Sequence, residues 1–236
     1  MSRELPTPPV PELARAKGST VSELTDWFVE YYNRAGAPFN YRIATRAVRS
    51  AYKGLHSLPI LTASCANDMT LVGRTANAEV IRLAAPLVFA RGTQVFDLPR
   101  RRFSFGRNRH SAYRVPFFFV ENGIIHLYFL QPRKSSGLNI DEFGMIATIM
   151  KNYLLDQEFY GHTSDVEFVD VSAPSGASIR EVRRYALADL PLWSDRRLTD
   201  RLTMIAAALD AVEVGGRIQR NHRARPSPDP EMPLFD

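Results

Sequence analysis

The sequence predicts an α/β protein in which a mixed central sheet of about four or five strands is flanked by helices. Two apolar, strand-like runs, 114–120 and 124–131, lie on either side of Asn122-Gly123, the dipeptide that tight hairpin turns favour. Three successive phenylalanines, Phe117–Phe119, indicate a strand buried on both faces and therefore central in the sheet. A helical pattern over 141–155 and an alternating run over 165–171 then add a helix and a further strand.

Composition and charge narrow the class of protein. The chain has 236 residues, of which 45% are hydrophobic, which fits one large domain or one domain with an appended piece. Its apolar runs are shorter than the roughly 18 residues of a membrane span, and prolines stand where a secretory signal would be apolar. We therefore expect a cytoplasmic protein with no membrane contact. The single cysteine, Cys65, excludes an intrachain disulfide, and the net charge of +5 favours polyanionic partners, chiefly nucleic acid.

Local signals divide the chain into four parts. Residues 1–18 hold four prolines between Pro6 and Pro11, which predicts an extended or disordered arm. Residues 19–72 form a helical part, and residues 73–216 form the α/β core. The polar, proline-rich residues 217–236 predict a disordered tail.

Two clusters of basic residues are candidate nucleic-acid contacts. The predicted helix over 40–55 carries a stripe at spacings of four, three and four, formed by Arg42, Arg46, Arg49 and Lys53. This stripe is interpreted either as a helix lying along a phosphate backbone or as an ordinary solvated face. Between residues 100 and 110 there are five arginines and one histidine, a charge density that is costly in a packed core. We expect a phosphate-contact patch formed by Arg100, Arg101, Arg102, Arg107 and Arg109.

The order of elements carries a family resemblance. From about residue 75 to residue 171 the predicted order is helix, strand, strand, strand, helix, strand. This order resembles the core of the PD-(D/E)xK, or restriction-endonuclease-like, superfamily. In that family a proline-aspartate pair lies in the second strand, and the (D/E)xK motif ends the third. Val115–Phe117 and Gln131–Lys134 stand at these two places.

The resemblance implies magnesium-dependent cleavage of a phosphodiester, with departures at several positions. It implies catalytic roles for Gln131, Arg133 and Lys134. Phe117, where the aspartate is expected, cannot bind a metal. Gln131 offers a neutral oxygen, and Arg133 keeps a charge but cannot act as a base. Lys134 is one residue late and lies on the other side of an extended strand.

Two carboxylates complete the implied metal site. Glu79 on the preceding helix resembles an acidic residue that many family members carry there, and Asp97 is a displaced carboxylate. With Gln131 they are the expected ligands of Mg²⁺, which prefers hard oxygen donors. In the alternative interpretation, Gln131 and Arg133 end a strand and meet solvent, or the fold serves as a nucleic-acid-binding scaffold without catalysis.

The end of the chain contains a second resemblance. Residues 231–235, Glu-Met-Pro-Leu-Phe, resemble the bacterial sliding-clamp-binding motif Gln-Leu-x-Leu-Phe, with Met232, Leu234 and Phe235 at the apolar positions. Two hypotheses follow from the whole sequence. The first is a nucleic-acid-associated protein, either a divergent metal-dependent nuclease or a nuclease-derived DNA-binding protein. The second is a non-catalytic adaptor or inhibitor that binds a protein of the replication or repair machinery.

Overall fold

Seven strands form a five-stranded sheet and a separate two-stranded ribbon in a computed structural model that describes residues 5–34, 39–68 and 70–218. The sheet has the order β1-β4-β5-β6-β7, and the ribbon pairs β2 with β3. The strands are β1 (Gln94–Phe96), β2 (Arg102–Phe105), β3 (Arg109–Ala112), β4 (Phe117–Glu121), β5 (Ile124–Gln131), β6 (Ser164–Asp170) and β7 (Arg183–Tyr185).

Helices precede the sheet, connect two of its strands and end the described chain. They are α1 (Val10–Arg15), α2 (Val21–Asn33), α3 (Arg42–Tyr52), α4 (Leu58–Ala63), α5 (Leu71–Ala84), α6 (Ile140–Met150), α7 (Asp156–Glu158) and α8 (Asp195–Gly215). A π-helical turn, Lys151–Leu155, joins α6 to α7. No helix in the described ranges is long and apolar enough to cross a membrane.

The hairpin and the crossover confirm the predicted fold class. Asn122 and Gly123 adopt φ angles of 51° and 79°, and this turn joins β4 to β5 in antiparallel register. β5 pairs with β6 in parallel register, with Gln131 opposite Asp170. Parallel neighbours require a crossover connection, and the α6–α7 segment supplies it. The sheet is therefore mixed, and its elements follow the order that the family resemblance implies, with the β2–β3 ribbon inserted after β1.

The core has two layers, one on each face of the sheet. Alternate residues of β5 point to opposite faces, so Leu127 and Phe129 pack with α1, α2, α6, α8 and the ribbon. Tyr128 packs on the other face with Phe117, Phe119 and the helices α3 and α5. Phe117 and Phe119 are fully buried on this face and Phe118 is partly buried on the other, which agrees with the predicted central strand.

Two predicted segments need correction. Residues 10–15 are not an extended arm: they form α1, and Val10 and Leu13 are fully buried. Pro11 is compatible with the first helical turn, because the backbone N–H that proline lacks would have no acceptor within the helix at that position. The predicted boundary near residue 72 does not separate two packing units, because the N-terminal helices cover both faces of the sheet. Of the predicted tail, residues 219–236 lie outside the described ranges.

Candidate functional site

A cleft of about 770 Å³ opens at the carboxyl end of β5. One wall is the loop that follows the strand, which contains Arg133 and Lys134. The rest of the lining comes from the start of α5 and from Phe39 and Tyr41, which precede α3, together with Arg180. Ligands of α/β sheets commonly bind beyond the carboxyl ends of the strands, so this position is favourable for a site.

The loop after β5 is folded back onto the strand by Gln131. This side chain is buried, and its Nε2 donates to the carbonyl oxygen of Ser136 at 2.6 Å. The same carbonyl accepts a hydrogen bond from Arg15 Nη2 at 3.0 Å. Gln131 therefore fixes the loop that carries the next two cations through one of its amide N–H groups.

Arg133 and Lys134 carry the exposed positive charge of the cleft. Arg133 is half-exposed, and its Nη2 lies 2.7 Å from Glu12 Oε1. Glu12 also pairs with Arg15 at 3.1 Å, so one carboxylate serves two guanidinium groups. Lys134 is exposed and makes no ion pair within the described part of the chain. This wall of the cleft therefore has a surplus of positive charge.

Arg180 is a buried arginine that sequence reasoning missed. Its Nε donates to Glu79 Oε2 at 2.9 Å, and its Nη2 donates to the hydroxyl of Tyr41 at 3.2 Å. Its Nη1 donates to the carbonyl oxygens of Pro132 and Val171 at 2.7 and 2.8 Å. One side chain thus ties α5, the ends of β5 and β6, and the approach to α3 together. Nothing in the local run Ile-Arg-Glu-Val-Arg-Arg-Tyr distinguishes this arginine from its more exposed neighbours.

The two predicted metal ligands have different partners. Glu79 is paired with Arg180, and Asp97 forms an ion pair with Arg49. Phe117 is fully buried in the core. Across residues 5–34, 39–68 and 70–218, no three histidine, cysteine or carboxylate side chains gather as a possible metal site. The donor set at the cleft therefore does not fit the expected Mg²⁺.

The helix stripe is only partly exposed. Arg42, Arg46 and Lys53 are exposed on α3, as expected for a solvated or phosphate-facing surface. Arg49 is instead 8% exposed and holds Asp97, which lies just after β1. Its role is to join α3 to the sheet edge, so it is not available to a phosphate in this structure.

The arginine-rich patch likewise contains both arginines that pair within the protein and arginines that are exposed. Arg109 is buried on β3 and pairs with Asp210 at 2.6 Å and Glu213 at 2.8 Å, which attaches the ribbon to α8. Arg101 pairs with Glu158 at 2.6 Å. Arg100, Arg102 and Arg107 are exposed.

The arginine-rich patch and the cleft lie at opposite ends of the sheet. Glu158, the partner of Arg101, ends α7 just before β6 begins, whereas the cleft lies where β5 ends. Because β5 and β6 are parallel, the beginning of β6 is far from the end of β5. The predicted catalytic residues and the ribbon arginines therefore do not form one surface around the cleft.

A second cleft provides a contrast in charge. It has a volume of about 620 Å³ and lies between the start of α6 and α8. Its charged lining consists of three acidic and three basic residues, namely Asp141, Glu142, Asp200, Arg196, Arg197 and Arg201. The charges balance, so this cleft has no comparable preference for an anion.

At the β4–β5 turn a closed ionic network is found. Arg91 donates to Glu121 through Nε and Nη2 at 2.9 and 2.6 Å, and to Glu167 at 3.1 and 2.9 Å. Tyr52 donates its hydroxyl hydrogen to Glu167. The hydrogen bonds from Arg91 lower the pKa of Glu121, and burial raises the pKa of Tyr52 well above its ordinary value.

Comparison with known proteins gives a limited result. No protein-family model matches the chain, and no curated protein matches its sequence. Among solved structures, it is similar to a crystal structure from Eubacterium rectale described as "Putative exonuclease", with a TM-score of 0.42 and 10% identity. The alignment covers 91% of this chain and 83% of that one. A similarity at this level says nothing about activity, so the functional inference depends on the residues of the cleft.

Proposed function

We propose that the chain binds nucleic acid in the cleft at the carboxyl end of β5, as a nuclease-derived binding protein. The observation that supports this proposal is the charge around the cleft. Among the described residues that line the cleft, three side chains are cationic and one is acidic. The cations are Arg133, Lys134 and Arg180, and the carboxylate is Glu79.

The exposed pair, Arg133 and Lys134, can contact phosphate at little cost. If Arg133 turned from Glu12 to a phosphate, Glu12 would keep its ion pair with Arg15. Lys134 has no described ion pair to break. Two such contacts would release condensed counterions from the nucleic acid, which makes the affinity dependent on salt.

The same residues favour binding over metal-dependent cleavage. Mg²⁺ needs oxygen ligands, but Glu79 is held by Arg180, Asp97 is held by Arg49, and Gln131 offers only a neutral oxygen. Arg133 is a guanidinium, which is too poor a base to activate water. These groups can hold a phosphodiester, whereas cleavage would require a charge-stabilising metal that they do not accommodate.

The test compares matched variants by fluorescence anisotropy with labelled DNA and RNA oligonucleotides at several salt concentrations. Arg133→Ala/Lys134→Ala should weaken binding at least about tenfold and reduce the slope of log K against log salt by about two. The control Lys17→Ala/Arg196→Ala removes the same charge from another exposed surface and should leave both quantities nearly unchanged. Binding should persist in EDTA and should not be strengthened by Mg²⁺, which competes for the phosphates.

Two results would overturn the proposal. The first is an equal loss of affinity in both double variants, which would mean that only the net charge matters. The second is cleavage of the oligonucleotides with Mg²⁺ or Mn²⁺ by the wild-type chain but not by Arg133→Ala/Lys134→Ala. That second result would establish the divergent nuclease that the family resemblance implies.

A second candidate function is an adaptor that binds a sliding clamp. It is supported by the sequence of residues 231–235, which lies outside the described ranges. A Leu-Phe pair at the end of a polar tail is suited to an apolar pocket on a partner. Deletion of residues 231–236 should abolish binding to a purified bacterial clamp, and unchanged binding would reject this function.

A further inference from the structure

We infer that the cleft takes an unpaired strand of nucleic acid, whose bases lie against its apolar wall while its phosphates face Arg133 and Lys134. This inference rests on the proposed function, because it specifies which form of nucleic acid the same cleft binds. It starts from a feature that phosphate binding does not explain: beside the basic loop, the cleft also has an aromatic and aliphatic wall. Phe39, Tyr41 and Leu71 belong to that wall.

The aromatic part of the wall is held in place. The rings of Phe39 and Tyr41 meet edge to face, with centroids 5.2 Å apart and an interplanar angle of 75°. Arg180 lies over the Tyr41 ring at 5.9 Å and donates to its hydroxyl. A ring fixed from one side by a buried arginine loses little freedom when a base stacks on it, which favours binding.

The aliphatic part is unusually exposed. Leu71 is 77% exposed and Val72 is 61% exposed, both in the first turn of α5. Neither these two residues nor Phe39 belongs to the core on either face of the sheet. Packing within the described chain therefore does not account for apolar residues beside a basic loop.

The basic loop and the apolar wall together are suited to an unpaired strand of nucleic acid. A duplex turns its phosphates outward and keeps its base faces stacked inside, so an apolar wall gains nothing from it. An unpaired strand presents phosphates along one edge and base faces along the other. Proteins that bind single strands use a positive groove for the backbone and aromatic side chains for the bases. The cleft combines Lys134 with Phe39 and Tyr41 in its lining.

The experiment measures binding of three labelled probes with one sequence: a single strand, a blunt duplex, and a duplex with a single-stranded overhang. We expect the single strand and the overhang to bind at least about tenfold tighter than the blunt duplex. Phe39→Ala and Leu71→Ser/Val72→Ser should each weaken single-strand binding about five- to tenfold and leave duplex binding unchanged.

The control is Phe89→Ala, which removes another exposed ring, one that does not line the cleft. It should leave all three affinities unchanged, and circular dichroism should show that every variant is folded. A single-strand probe with 2-aminopurine should lose fluorescence on binding the wild-type chain, and lose less with Phe39→Ala, because stacking quenches this base.

The outcomes separate the inference from the proposed function. Absence of binding to any probe rejects the proposed function and the inference together. Duplex binding that equals or exceeds single-strand binding, with no effect of Phe39→Ala, rejects the inference and leaves nucleic-acid binding in place. Equal losses in Phe39→Ala and Phe89→Ala would also reject it, since the loss would then not depend on the cleft.

Discussion

The two ends of the central sheet use the same residue types in opposite ways. At the β4–β5 turn, Arg91 lies between Glu121 and Glu167, and its guanidinium is paired with these two carboxylates. At the carboxyl end of β5, Glu12 is shared by two arginines and Lys134 is left without a described ion pair. Charges that satisfy one another stabilise a fold, whereas a surplus of one sign is available to a ligand.

Arg91 at the turn end is also more completely buried than Arg133 at the cleft. Glu167 is buried and also contacts Arg184 at 3.3 Å, and the guanidinium of Arg91 lies over the rings of Tyr52 and Phe119 at 5.6 and 5.4 Å. At the cleft, Arg133 is half-exposed. The comparison predicts that substitutions at the turn end act on stability and that those at the cleft act on binding.

The largest effect is expected for Arg91→Ala. It leaves Glu121 and Glu167 with much of their charge uncompensated in a largely buried site, and the loss of one partner of such a pair typically costs about 3–5 kcal/mol. Urea denaturation measures the free energy of unfolding. Arg107→Ala, at an exposed position, is the control and should cost less than about 0.5 kcal/mol. Similar values for the two variants would contradict the closed network.

Arg180→Ala sharpens the comparison because Arg180 is the one buried arginine that lines the cleft among the described residues. It removes hydrogen bonds to the carbonyl oxygens of Pro132 and Val171, which should cost about 1–3 kcal/mol. Because the carbonyls anchor the end of β5, single-strand binding should fall as well. A variant that loses stability but binds with wild-type affinity would show that Arg180 does not position the cleft.

Acid should weaken the ionic network at the turn end. The pKa of Glu121 is held below its ordinary value of about 4.5 by hydrogen bonds from Arg91. Its contribution to stability is therefore complete above pH 4.5 and is lost as the pH falls through the lowered pKa of the folded state. The unfolding free energy of Glu121→Gln should vary less with pH below 4.5 than that of the wild-type chain. Parallel pH profiles of the two proteins would contradict this account.

The smallest effect on stability is expected for Lys134→Ala. An exposed side chain without a described ion pair should change the unfolding free energy by less than about 0.5 kcal/mol. The same substitution should lower the salt dependence of nucleic-acid binding by about one unit of slope. Arg91→Ala would then change the stability of the fold, whereas Lys134→Ala would change nucleic-acid binding. A stability loss in Lys134→Ala comparable to that of Arg91→Ala would break the comparison.

Much of the fold could be predicted because its signals are local. Asn122-Gly123 requires a tight turn, and Thr20 with Glu23 forms the capping box that starts α2. The error at α1 has a physical origin. Prolines argue against a helix only in its interior, and the gain from burying Val10 and Leu13 comes from contacts with distant elements that local sequence does not contain.

The candidate site could be predicted only in part, for the same reason. The exposure of Arg133 and Lys134 follows from their place after a strand that ends in proline. Their surplus of charge depends on Glu12 in the first helix. The sequence likewise pointed to Glu79 and Asp97 as ligands of one metal, but the arginines that engage them, Arg180 and Arg49, are brought there by the tertiary fold.

Hydrogen–deuterium exchange with and without a single-stranded oligonucleotide tests the central claim most directly. It compares both ends of the sheet in one experiment. Binding should slow exchange in residues 132–137 and 70–76, and leave residues 121–126 at the β4–β5 turn unchanged. Slower exchange at that turn or in the β2–β3 ribbon, with no change in residues 132–137, would contradict the claim that the open, basic end of the sheet is the binding site.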